Sequence, residues 1–92
     1  MGRRYTPELL RSLRNDIDIA KLIAGPLDWP SKLSEGQFRF LCPMCSEFNS
    51  ATNPKTNLAR CFGCQKNFNP IDMVMTVRRC SFDQAVRFLR RL

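Results

Sequence analysis

Two short cysteine pairs of equal spacing, Cys42-Pro43-Met44-Cys45 and Cys61-Phe62-Gly63-Cys64, lie fifteen residues apart in this 92-residue chain. Thiolates are soft ligands, and two residues between cysteines let one tight turn aim both sulfurs at a single point. Two such turns complete a closed tetrahedron, with Zn–S distances of ~2.3 Å. Cys42, Cys45, Cys61 and Cys64 are therefore the expected ligands of one zinc ion. Four protein ligands leave no open position for water, which makes the ion structural and not catalytic. Pro43 stiffens the first turn, and Gly63 is expected to supply a positive φ in the second. Two redox-active or disulfide-bonded pairs are the alternative. A thioredoxin-like motif calls for a βαβ setting with its first cysteine at a helix N-terminus, and neither pair has that context. Iron–sulfur ligation stays open but fits the spacing less well. Cys80 is left over, and is expected to pack as a small hydrophobe between two helices, beside Phe82.

The knuckles need strands to lead into them. Gln37-Phe38-Arg39-Phe40-Leu41 alternates, with Phe38 and Phe40 on one face and Arg39 on the other. It follows a turn at Ser34-Glu35-Gly36. Leu58 to Phe62 is the expected partner strand, and the polar stretch from Asn49 to Asn57 reads as a loop or weak hairpin. Upstream, Thr6 can cap a helix with Pro7 at its first position and Glu8 in its first turn. Leu9, Leu10, Leu13 and Ile17 follow at helical spacing. Asn15-Asp16 is a possible break and cap for a second helix carrying Ile19, Leu22 and Ile23, which Gly25-Pro26 ends through a left-handed exit. Downstream, Asn69 caps a helix with Pro70 next and Ile71, Val74 and Met75 on one face. Ser81-x-x-Gln84 is a capping box for a last helix burying Phe82, Ala85, Val86 and Leu89, with Asp83 and Arg87 as an i,i+4 pair. The predicted fold is α+β: one domain over 1–92, helical over 6–25, a zinc ribbon over 27–68 and helical again over 69–92.

Composition bounds the rest. An apolar fraction of 43% suits a folded domain, but a chain this short buries only about 60% of its unfolded surface and needs a staple. No apolar run reaches the ~18–20 residues of a membrane span. The basic N-terminus lacks the apolar stretch and cleavage site of a secretory signal. A reducing, cytoplasmic setting is therefore expected, in keeping with thiolates over disulfides. The formal charge is +7; four thiolates around a dication lower it by two and leave the excess standing. Such a balance favours polyanionic partners.

From Phe38 to Leu92 the chain resembles the N-terminal zinc-binding domain of bacterial DnaG-type primases. The likeness rests on C-P-M-C after an aromatic strand, C-F-G-C after the fifteen-residue gap, the capped N-P-I-D-M-V-M helix and S-F-D-Q-A-V-R-F-L. Residues 9–23, with N-D-I-D-I-A-K-L-I, look like that family's N-terminal helices. Two departures stand out. Cys45 occupies the place of the family's usual histidine ligand, and Phe68-Asn69 replaces the usual glycine and aspartate. The resemblance implies a divergent module that holds a single-stranded DNA template during primer synthesis. It implies a separate catalytic core, in cis or in trans, so the chain is either the first domain of a longer primase or a stand-alone relative. With eight scattered carboxylates and no evident two-metal cluster, the chain alone is not expected to polymerise. Neither a small-molecule substrate nor a membrane partner is expected. Cations and aromatics on a ribbon face suit single strands, because phosphates take the charge and bases stack on rings. The nucleic-acid candidates are Arg39, Lys55, Arg60, Phe62 and Lys66, with Phe40 and Phe48 as further rings. Arg39 and Arg60 share a face if their strands pair; Arg78 and Arg79 form a second basic cluster. The rival function is a zinc-ribbon adaptor that docks an acidic protein.

Overall fold

Thr6 opens the first helix as its sequence predicts, its side chain accepting from the Leu9 amide with Pro7 following. The computed structural model describes residues 5–92; the start of the N-terminal stretch, residues 1–4, lies outside the described residues. Helix α1 spans Pro7–Asn15 and α2 spans Ile19–Ala24. The second cap is Asp18, which accepts from the Ala20 and Lys21 amides, and not Asn15 or Asp16. Asp18 stands immediately before the apolar Ile19, where an N-cap belongs. At the far end Gly25 takes φ −97° and not a left-handed exit. Pro26 alone is enough to stop the helix there.

The sheet is a five-stranded antiparallel meander of β1 (Ser31–Ser34), β2 (Gln37–Phe40), β3 (Ser50–Asn53), β4 (Leu58–Cys61) and β5 (Asn67–Phe68), paired in sequence order. Glu35 and Gly36, with φ 53° and 77°, form the β1–β2 turn, the pair of left-handed residues that matches the twist of a tight hairpin. The expected direct pairing of β2 with β4 does not occur, because β3 lies between them. Ser50-Ala51-Thr52-Asn53 forms that strand although it lacks apolar alternation. Its first three residues are all buried, so neighbouring strands and not its own pattern hold it.

Asn69 caps α3 (Pro70–Arg78) in a full capping box with Asp72, and Ser81 caps α4 (Phe82–Arg90) in a second one with Gln84. Helix α3 buries Ile71, Met73 and Val74, with Met73 deeper than the expected Met75. Helix α4 buries Ala85, Val86 and Leu89. Phe82 is exposed, against expectation, and its ring lies 6.3 Å from that of Tyr5. These side chains join Leu13, Ile19, Leu22 and Ile23 with Phe40, Cys42, Ala59, Cys61 and Phe68 of the ribbon in one core.

Two side chains tie the helical layer to the ribbon. Asn57, in the β3–β4 turn at φ 57°, accepts from the Ile19 amide and donates to the carbonyls of Arg14 and Ile17 at 2.7 and 2.6 Å. It thus satisfies backbone groups that the α1–α2 break leaves without helical partners. Trp29 donates from Nε1 to the Leu41 carbonyl, one residue before the first zinc-ligand cysteine.

Candidate metal centre and sheet face

The two knuckles are copies of one another. Strand β2 leads through Leu41 into Cys42, and β4 ends on Cys61. The Cys42 amide donates to the Glu47 carbonyl and the Cys61 amide to the Lys66 carbonyl, both at 2.9 Å. Within each turn amides point at the first sulfur: Met44 and Cys45 at Cys42 Sγ, and Cys64 at Cys61 Sγ, over 3.4–3.5 Å. One residue past each second cysteine the chain turns left-handed, at Ser46 (φ 63°) and Gln65 (φ 60°). Gly63 is not left-handed, contrary to expectation. Its reason is space: a Cβ there would lie 3.2 Å from Glu47 Oε1 and 3.6 Å from Cys61 Sγ.

The ligand atoms of Cys42, Cys45, Cys61 and Cys64 all lie within 4.8 Å of one another. Across the knuckles Cys42 Sγ is 3.7 Å from Cys64 Sγ, and Cys45 Sγ is 3.5 Å from Cys61 Sγ. A tetrahedral centre with Zn–S ~2.3 Å separates its sulfurs by ~3.8 Å. Neither pair sits at a helix N-terminus, so the convergence is that of a metal site and not of a thioredoxin-like dithiol. Burial raises the Cys61 thiol, but the Cys64 backbone amide, the nearby Ser50 hydroxyl and the sulfurs of Cys45 and Cys42 favour the anion and together bring Cys61 down to about 6. Cys45 moves the other way. Its backbone hydrogen bond with Glu47 favours the anion, yet burial and the sulfurs of Cys61, Cys42 and Cys64 push it up to about 12. Burial, joined by Cys61 and Cys42, also raises Cys64. One thiolate therefore forms readily and resists the next. A dication at the centre reverses that order.

Ser50 provides a second test of fit. It is fully buried, lies directly across the ladder from Cys61, and its Oγ has no hydrogen-bond partner among the described residues. A metal-bound thiolate at Cys61 would be the acceptor this hydroxyl lacks. The donor set, the sulfur spacing and the orphaned hydroxyl all fit one structural zinc ion. Cys80 lies apart, half-buried against the core, with its thiol 3.8 Å from the Val74 carbonyl.

On the outer side of the sheet, residues directly opposite one another form a row: Lys32, Arg39, Ala51, Arg60 and Asn67. Arg39 and Arg60 thus share a face with β3 between them. Arg39 donates to Gln37 Oε1 and Arg60 to Asn67 Oδ1, at 3.2 and 3.1 Å. Each guanidinium is steadied by a neutral amide, and among the described residues no ion pair lies on the sheet. Phe62 continues the alternation from Arg60 and is 53% exposed. Phe48 is exposed as well, with Lys32 Nζ 5.2 Å from its ring centre. Phe40 is wholly buried and belongs to the core, so it offers no stacking surface. Lys55 lies in the β3–β4 turn and Lys66 beyond the second knuckle, at opposite ends of β4 and off the row. Lys32 escaped the sequence reading because β1 did; Ser31 to Ser34, set against Gln37 to Phe40 across Glu35-Gly36, is a short hairpin signal.

Five antiparallel strands, two matched knuckles and four converging thiols define an α+β zinc ribbon. The family model of the CHC2 zinc finger, the zinc ribbon of DnaG, matches residues 5–92, and the chain belongs to that family. No curated protein sequence matches the chain.

Proposed function

We propose that the outer face of the sheet binds single-stranded DNA and presents it as template for primer synthesis by a catalytic core outside these residues. The observation that supports this reading most is the row through Arg39, Ala51 and Arg60. Two cations flank a residue too small to obstruct a strand, neither is neutralised by a carboxylate among the described residues, and Phe62 stands exposed beside them. Phosphates would take the charges and a base would stack on the ring. The zinc holds this surface in shape and takes no part in chemistry. The four-cysteine cluster is the one group of potential metal ligands among the described residues, and the reading assigns polymerisation elsewhere. Family membership supports the connection with primases.

Fluorescence anisotropy of a labelled oligonucleotide of about six bases against salt concentration tests the reading. Each phosphate neutralised on a single strand contributes about −0.7 to the slope of log K against log salt, so two to four contacts give about −1.4 to −2.8. Arg39→Ala and Arg60→Ala should each flatten the slope by about 0.7 with zinc content unchanged. Phe62→Ala should remove a salt-insensitive part of about 1–3 kcal/mol. An absence of binding at low salt would turn the assignment to the adaptor reading, in which the basic surface meets an acidic protein.

A further inference from the structure

A second basic feature lies where α3 turns into α4. Arg78 ends α3 and Arg79 is its C-cap, while Gln84, Arg87 and Phe88 follow at helical spacing along one side of α4 and Arg91 is the C-cap of that helix. With Cys80 they line a concavity of about 440 Å³. The Arg78 guanidinium lies over the Phe88 ring, 4.7 Å from its centre, which holds one cation at the wall. Arg87 is neutralised by Asp83 at 2.8 Å. For Arg78, Arg79 and Arg91 no ion pair is formed among the described residues.

Arginine at the end of a helix complements the helix dipole, and that would account for Arg78 or Arg91 separately. It does not account for arginines from the end of α3 and the side of α4 lining one hollow. Like charges that line one hollow repel one another unless an anion lies between them. Their planar forks match phosphate oxygens in pairs, and lysine, which would serve as a simple point charge, is absent from the lining. Three uncompensated positive charges around one hollow exceed what a single phosphodiester or carboxylate can neutralise. They suit a chain of linked phosphates. We infer that this concavity is a polyphosphate-binding site, taking a triphosphate group carried by a nucleotide or free in solution. Arg79 and Arg91 supply the forks, and Arg78 is held in place by Phe88. The site is separate from the sheet face and does not depend on that face binding DNA.

The zinc-loaded chain should be titrated calorimetrically at low salt with inorganic triphosphate, with ATP and with hexaglutamate. Triphosphate should bind, and the double variant Arg79→Gln/Arg91→Gln should weaken it by about tenfold or more. These side chains are exposed, and zinc content with far-ultraviolet dichroism verifies folding of the variant. ATP binding equal to triphosphate would show that the phosphate chain alone is recognised, and tighter ATP binding would identify a nucleotide as its carrier; both outcomes support the site. Arg90→Gln removes the same charge from α4 outside the concavity and should change affinity less than twofold. The proposal is overturned if triphosphate fails to bind, or if Arg90→Gln weakens binding as much as the double variant does. It is also overturned if hexaglutamate binds as tightly, which would mark an acidic protein as partner. Loss of triphosphate binding in Arg39→Ala or Arg60→Ala would place the anion on the sheet and refute the concavity.

Discussion

A buried serine hydroxyl beside a neutral thiol has a poor acceptor; beside a thiolate it has a strong one. Ser50 is in that position opposite Cys61, and nothing else among the described residues satisfies it. Groups that hydrogen-bond to metal ligands typically contribute 10–100-fold in metal affinity. Ser50→Ala should therefore lower zinc affinity by about tenfold, measured by competition with a chromophoric chelator, while the empty hydroxyl site leaves the fold intact. Unchanged affinity would mean that the hydroxyl does not reach the sulfur. The ligands themselves were legible in the sequence because C-x2-C spacing is a local geometric demand. Ser50 was not, since only the register of β3 against β4 brings it to Cys61. Gly63 was recognised as special for the wrong reason: crowding by Glu47 and Cys61 is a matter of tertiary placement, invisible to a rule about φ.

Among the elements, the β3–β4 hairpin and the α1–α2 break depend on one side chain. Asn57 makes three hydrogen bonds to backbone groups of the break, from a left-handed position that asparagine tolerates better than most residues. Asn57→Ala should destabilise the chain by about 2–4 kcal/mol, as several partly buried groups lose partners and the backbone becomes strained. Asn57→Gly relieves the strain and still loses the bonds, so urea denaturation should place it between alanine and the parent. Equal stability of glycine and parent would assign the asparagine to its turn alone. The helix caps at Thr6, Asn69 and Ser81 were readable because a cap is made within four residues of sequence. Strand β3 was not readable. Ser50, Ala51 and Thr52 carry no hydrophobic alternation, and their burial comes from a central place in the sheet, between β2 and β4.

For the whole molecule, zinc and folding are one equilibrium. Structural zinc contributes about 10–16 kcal/mol in small peptides, more than a core of this size supplies. Chelation should dismantle the ribbon, and Cys61→Ser should do the same, whereas Cys80→Ser should be mild. Trp29, the single tryptophan, reports the event because its indole bonds to Leu41 beside Cys42. Its emission should shift to the red as the metal leaves. The pH dependence follows from the thiols. Zinc binds them as anions, well below their ordinary value of 9.0. Their contribution is therefore complete above that value and lost as pH falls through the zinc-bound titration. In the metal-free cluster Cys45, at about 12, keeps its proton at neutral pH, so zinc must displace it and acid drives the exchange back. Zinc release on acidification should be steep, and a flat profile between pH 8 and 5 would contradict thiolate ligation.

The left-handed residues that follow the two knuckles offer a route to a more heat-resistant domain. Ser46 and Gln65 both adopt a backbone that L side chains disfavour, and both are exposed. Glycine removes that penalty at the cost of a more flexible unfolded chain, so Gln65→Gly should gain about 0.5–1 kcal/mol. For a domain of this length, each kcal/mol raises the melting temperature by about 4–8 °C. The paired substitution Ser46→Gly/Gln65→Gly should nearly double the single gain, since the two knuckles repeat the same turn around one metal. Differential scanning calorimetry of the zinc-loaded chain measures the increment. A lower melting temperature would show that these side chains, and not the backbone shape, hold the turns.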